Sequence, residues 1–428
     1  MTYEESLDYL ANLCKFGINL GMDRIERLLD LMQHPERRFK TVHVTGTNGK
    51  GSTTAMLAAI LQASGIKTGM YTSPHLAEYT ERMIINGREI TKPAFAEALH
   101  YTSQFVDQMV AEGLEHPTEF EVLTAAAFYY FAAAGVEYAV IEVGLGGLLD
   151  STNVIVPEVS VITNVTLEHT DRCGATLVDI GRHKAGIIKQ GVPVVTAAKG
   201  EALDVIAQTA LTKAAELYVL GRDFSGKFEG VEGYRQKLSV TTKEYGNPGM
   251  FSMKLLGHHQ VENSAVAVMT ALVIGRQDKR ITLAAMQEGL SNVIWPGRFE
   301  VVAGQPVIVI DGAHNPDGAR VLRQNLDEYF PHQKITFLLG ILADKDVTGI
   351  IEGLIRPENN VVVVAPISER AGEPALIAQE IKTAKHVEIA DSIEQGLERA
   401  KVLAGTTGVV CVAGSLYLIG TARQLICK

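Results

Sequence analysis

Residues 41–71 read TVHVTGTNGKGSTTAMLAAILQASGIKTGMY, and the fold follows from how this stretch divides. Residues 41–45 form a short β-branched run that predicts a strand, 53–64 an apolar helix closed by Gly65, and 67–71 a second strand. That is one βαβ unit. Between strand and helix lie Gly46, Thr47, Asn48, Gly49, Lys50, Gly51 and Ser52. Glycines here let backbone N–H groups approach phosphate oxygens, Lys50 adds positive charge, and the helix N-terminus favours the same anion. The spacing departs from GxxxxGKS/T: Val44 stands where the first glycine would be, and Gly51 separates Lys50 from Ser52. Strand, loop, lysine and helix still come in order, which predicts a nucleotide-phosphate site over a plain glycine-rich turn.

Outward from this unit, short β-branched runs keep alternating with helical stretches. Phe120, Leu123, Ala127 and Tyr130 or Phe131 recur at helical spacing ahead of strands at 136–143 and 159–163. Residues 221–249, richer in Gly, Lys and Glu, read as a peripheral antiparallel excursion. Trp295-Pro296-Gly297 is a turn signal before a fresh series of strands at 307–310, 335–339, 361–365 and 409–413, with a helix at 317–329. The fold class expected is therefore α/β: a P-loop-type N-terminal domain with a mostly parallel sheet (1–295), a linker (296–297) and a Rossmann-like α/β C-terminal domain (298–428).

Composition narrows the function. The 428 residues are 46% hydrophobic and 21% charged, ordinary globular values. Lys plus Arg is 39 against 49 Asp plus Glu, a formal charge of −10, so no broad basic field would attract nucleic acid. The longest uncharged apolar run, 122–136, is shorter than the roughly 18 residues of a membrane span. The N-terminus lacks a signal-peptide layout, and Cys14, Cys173, Cys411 and Cys427 have no metal-ligand spacing. A cytoplasmic protein with no nucleic-acid or membrane partner is expected.

A nucleoside triphosphate arrives with Mg²⁺, which prefers hard oxygen ligands. Glu142, closing an apolar strand before Gly144-Leu145-Gly146-Gly147, suits that role. His169, taken alone, reads as structural.

Taken together, the motifs GTNGKGS (46–52), YTSPHL (71–76), TEFE (118–121), EVGLGG (142–147), HKAGIIK (183–189), HHQVEN (258–263), WPGRFE (295–300), DGAHNPDGA (311–319), LADKD (342–346) and GSLYL (414–418) resemble, nearly end to end, the folylpolyglutamate synthase and dihydrofolate synthase family of the Mur ligase superfamily. The resemblance implies an ATP-dependent ligase, of the tetrahydrofolate synthase type, that joins L-glutamate to folate through an acyl phosphate. Thr47 to Lys50 would hold the triphosphate, with Asn263, Arg298 and Asp311 as further ATP contacts. Ser73, Glu142 and His169 would bind two Mg²⁺ ions, which overrides the reading of His169 alone. Lys184 would be carbamylated, because reaction of a neutral amine with CO₂ turns a cation into an oxygen ligand for Mg²⁺. His314 would lie near the incoming amino acid. Asn19, Leu20 and Gly21, Thr118, Glu119, Phe120 and Glu121, and Leu149, Asp150 and Ser151 match pteroate-contacting segments. Leu148 stands where many members carry Arg, which removes a cation for an anionic substrate and weighs against dihydropteroate use. The resemblance also implies a monomer and leaves room for a bound K⁺. The alternatives are a bifunctional dihydrofolate/folylpolyglutamate synthase, another Mur-type amino-acid ligase, a nucleotide switch, or a small-molecule kinase. No NKxD-type guanine-reading segment supports the switch.

Overall fold

The 41–71 unit folds as β1 (Lys40–Thr45), a helix (Lys50–Ala63) and β2 (Thr68–Tyr71). The helix starts ahead of the expected 53 because Gly49, at φ 85°, turns the chain straight into it, so Lys50 opens the first turn. The computed structural model describes residues 1–17, 19–168, 170–302 and 304–427.

The first sheet also contains β3 (Met83–Ile85), β4 (Arg88–Glu89), β5 (Tyr138–Glu142), β6 (Val159–Ile162), β7 (Val194–Thr196) and β8 (Leu217–Val219), in the order β4-β3-β2-β5-β1-β6-β7-β8. It is parallel from β2 to β8, with an antiparallel edge at β3 and β4. Strand alternation places Val42 and Val44 in the core shared with the Lys50–Ala63 and His258–Ile274 helices. On the other face Thr45 Oγ1 donates to Gly146 O at 2.7 Å, and His43 Nε2 meets Thr152 Oγ1 at 2.8 Å. The uncharged run at 122–136 falls largely in the helix Glu119–Ala133, whose Phe128 and Phe131 are fully buried. Among the described residues no helix is long and apolar enough to cross a membrane.

The 221–249 stretch lies within a three-stranded antiparallel sheet, β9 (Phe224–Glu232), β10 (Arg235–Thr242) and β11 (Gly249–Met253), in the order β11-β10-β9. The third sheet has β12 (Glu300–Val302), β13 (Val307–Ile310), β14 (Ile335–Leu339), β15 (Asn360–Val363), β16 (His386–Ile389) and β17 (Val409–Ala413), in the order β12-β13-β17-β14-β15-β16. Only β12 runs antiparallel. The helix Pro316–Tyr329 covers one face of this sheet, contributing Ala319, Leu322 and Leu326 to its core.

The two large sheets meet through the chain between the helix Leu283–Asn292 and β12. Leu76, in the turn after β2, packs against Ile419 and Gly420 in the helix Leu416–Ile426. The carboxyl ends of the central strands thus face one cleft, where an open α/β sheet ordinarily binds ligands.

Candidate active site

The phosphate loop is fastened from below. Thr47 N–H donates to Asn164 O (2.8 Å), Asn48 N–H to Asn164 Oδ1 (2.7 Å), and Thr163 Oγ1 to Asn48 O (2.7 Å). Thr47 Oγ1 exchanges bonds with the backbone of Thr166. Lys50 Nζ donates to Gly46 O (3.0 Å) and Thr47 O (3.1 Å), so the ammonium is curled over the loop. A Cβ on Gly49 would lie 2.4 Å from Asn263 Oδ1, which puts Asn263 directly against the loop. Ser52 faces inward instead: it is buried and accepts from Gln260 Nε2 at 3.2 Å.

At the end of β5, Glu142 is 4% exposed and accepts from Ser73 N–H at 3.2 Å. Burial raises its carboxyl to about 7, while Lys50, the Ser73 N–H and Arg298 pull the other way. The glycines that follow bring this strand end onto the helix Leu177–Ala185: a Cβ on Gly147 would lie 2.7 Å from His183 O, and Leu148 N–H donates to that same oxygen at 2.8 Å. Lys184, on this helix, is 5% exposed; burial and then Lys50 bring its ammonium down to about 7. His169 lies outside the described residues. Among the described residues no group of three His, Cys, Asp or Glu side chains converges on a metal position. The donors available are a hydroxyl, a carboxylate and a lysine whose amine can be neutral, a hard-oxygen set for Mg²⁺ once the lysine carries a carbamate. The residues fit the ion.

The facing loop belongs to the third sheet. Asp311 accepts from Phe299 N–H and Ala313 N–H, both at 2.8 Å, and burial raises its carboxyl against the pull of Arg298. Arg298 NH1 donates to Gly297 O at 3.3 Å, and the guanidinium lies against Gly312. His314 Nδ1 is 2.7 Å from Gly312 O, so this nitrogen carries the proton and Nε2 is left as the acceptor of a ring that burial keeps neutral. Glu168 acts electrostatically on both Lys184 and His314. Gly51, Ser73, Glu142, Trp295, Arg298 and Arg423 share the lining of one cavity of about 310 Å³.

The remaining segments form a second cluster. Asn19 Nδ2 donates to Glu115 Oε1 (2.9 Å), and Arg24 links Asn19 O, Glu115 and Glu121. Leu20 and Gly21 complete that turn, with Leu20 half-buried. Thr118 and Glu121 form a reciprocal cap on the helix Glu119–Ala133. Glu119 accepts from Tyr79 OH at 2.8 Å. Phe120 lies against Gly144, which also abuts Asp150 Oδ2. Asp150 accepts from Leu145 N–H and from Thr152, which commits it to the turn; Ser151 is buried, and Leu148 and Leu149 are exposed. Glu121 Oε1 is buried without a hydrogen-bond partner among the described residues.

Asn164, Gln260, Trp295 and Glu168 were not assigned roles by the sequence reading. The polar residues just past β6 carry a signal, since that strand end borders the loop at 46–52, and Trp295 stands both at the domain boundary and in the WPGRFE motif.

Comparison with known proteins identifies the family. Residues 44–271 match the Mur ligase middle domain, and residues 297–416 match the Mur ligase, glutamate ligase domain. The folylpolyglutamate synthase of Lacticaseibacillus casei is 36% identical over 434 residues, covering 100% of this chain and 99% of the relative. The dihydrofolate synthase/folylpolyglutamate synthase of Bacillus subtilis is 32% identical, with 99% and 98% covered. A solved FPGS–AMPPCP–folate complex superposes with a TM-score of 0.84 at 34% identity, covering 100% of both chains. Fold and site thus define an ATP-dependent ligase of the Mur type, an enzyme that forms carbon–nitrogen bonds. Within that superfamily, the chain belongs to the folylpolyglutamate synthase/dihydrofolate synthase family.

Proposed function

We propose that this enzyme adds L-glutamate to a reduced folate, working as a cytoplasmic monomer. The observation that carries the reading is the single cavity shared by the phosphate loop (Gly51), the β2 and β5 ends (Ser73, Glu142) and the second-domain linker (Arg298). A carboxylate is a poor acyl donor at neutral pH, and ATP makes it a good one. The folate carboxylate attacks the γ-phosphorus; the phosphate ends on the carboxylate as an acyl phosphate and ADP leaves. Lys50, released from its loop carbonyls, and Arg298 hold the phosphate oxygens against developing charge. The glutamate amine then attacks the acyl carbon and expels phosphate, and the free Nε2 of His314 accepts the amine's proton. Ser73, Glu142, His169 and carbamylated Lys184 would hold Mg²⁺, which when bound neutralises phosphate charge. Asn263 and Asp311 would orient the nucleotide. Glu121, whose Oε1 has no hydrogen-bond partner among the described residues, would accept an N–H donor of a pterin, among Asn19, Leu20, Gly21, Thr118, Glu119, Phe120, Leu149, Asp150 and Ser151.

Exposed Leu148 offers no cation to an anionic pteroate. The test is mass spectrometry of products made with Mg-ATP and glutamate, with reduced monoglutamyl folate or dihydropteroate as acceptor. A one-glutamate gain on folate alone is expected. Gain on both would make the enzyme bifunctional, and gain on neither would contradict the assignment.

A further inference from the structure

Trp295 is the chain's single tryptophan, and from the residue before the linker its side chain lies against Gly51 of the phosphate loop. A Cβ on Gly51 would lie 2.6 Å from Trp295 Cζ2 and 3.1 Å from Nε1, so the indole fills the space a side chain at 51 would need. The two partners are anchored differently. Gly51 sits in the first turn of the Lys50–Ala63 helix, which packs backbone to backbone on the Leu283–Asn292 helix: a Cβ on Gly289 would lie 2.6 Å from Ile60 Cα. Two residues past Trp295 the chain is bonded to the loop that follows β13. There Gly297 O accepts from Gly312 N–H at 2.9 Å, Gly297 N–H donates to Glu300 Oε2 at 2.9 Å, and Arg298 lies against Gly312. The indole N–H has no hydrogen-bond partner among the described residues, and the ring lines the cavity that Ser73, Glu142 and Arg298 also line.

We propose that Trp295 is a positioning residue that sets the phosphate loop against the interdomain linker, so that nucleotide binding and the angle between the domains act on the same ring. The inference rests on the ligase reading above. A change in domain angle displaces 296–298 and slides the indole across Gly51, a motion that only a bare α-carbon permits. Phosphate entering the loop presses on the ring from the other side. Phenylalanine at 295 would keep a flat apolar face against Gly51, whereas alanine would leave the loop unsupported and the linker free.

The experiment pairs calorimetry with tryptophan emission during titration of the full chain with Mg-AMPPCP, followed by kinetics of Trp295→Phe and Trp295→Ala in the glutamate-adding assay. The expected result is a saturable emission change that tracks calorimetric binding. Trp295→Ala should raise KM for ATP by about tenfold with a smaller effect on KM for folate, and Trp295→Phe should restore KM for ATP toward that of the unsubstituted protein. Calorimetric binding with unchanged emission overturns this inference and leaves the ligase reading standing. Absence of nucleotide binding overturns both. A Trp295→Ala protein that melts earlier but keeps its KM for ATP shows a packing role only, and overturns the inference; if that variant does not fold, the emission titration of the unsubstituted chain decides.

Discussion

Lys50 and Lys184 occupy the same electrostatic neighbourhood yet are held for different tasks. Lys50 keeps its ammonium on the carbonyls of Gly46 and Thr47, where it stabilises the loop and would be released to a bound phosphate. Replacing it with alanine removes both effects, and glutamate addition should fall by about 10²-fold or more in steady-state assays, while far-UV circular dichroism stays unchanged. Lys184 is suited to carbamylation because burial, and Lys50 beside it, bring its ammonium down to about 7, where the neutral amine that CO₂ attacks is well populated. Protein equilibrated with carbon-13 bicarbonate should show a carbamate resonance that is absent in Lys184→Ala. A spectrum without that resonance in the unsubstituted protein would remove Lys184 from the metal site. The strand, glycine loop and helix of 41–71 were legible in the sequence because their residues are contiguous and the turn is set locally. The inward turn of Ser52 toward Gln260, and the pressing of Trp295 onto Gly51, were not: each depends on a partner more than 200 residues away.

At the scale of elements, the strands of the third sheet stood out because β13 and β17 are continuous apolar runs and β14 is broken only by Thr336, all largely buried on both faces. β12 and β16 escaped notice because one is three residues long and the other lies half exposed at the sheet edge, so neither needs an apolar run. TEFE has two meanings at once. Its spacing is that of a helix capping box, which the structure contains, and it leaves Glu121 Oε1 without a hydrogen-bond partner among the described residues, in the cluster proposed to hold the pterin. Another cap bears on the reaction: Asn315 accepts from Gly318 N–H at 2.7 Å and starts the Pro316–Tyr329 helix directly after His314. Asn315→Ala should destabilise the second domain by about 1 kcal/mol, read as a melting transition lower by about 2–4 °C. It should also slow glutamate addition with little change in nucleotide affinity, because His314 loses the fixed helix start behind it.

For the whole molecule, two α/β layers present strand ends to one cleft, and the elements that close it come from both: Leu76 against Gly420, Trp295 against Gly51, and Arg298, whose charge acts on both Glu142 and Asp311. This arrangement suits a reaction in which one substrate is activated on the phosphate loop and the second arrives from the facing domain, with water kept out between the steps. The order of motifs along the chain gave this architecture in outline. The meeting of the two halves could not be read from it, because no periodicity encodes how one sheet's loops seat on another's. The central claim is that the folate carboxylate is activated as an acyl phosphate before glutamate attacks. Its most direct test is a turnover experiment with reduced monoglutamyl folate carrying oxygen-18 in the reacting carboxylate, together with Mg-ATP and glutamate. The account predicts inorganic phosphate bearing one labelled oxygen for each diglutamate formed; unlabelled phosphate accompanying diglutamate would contradict it.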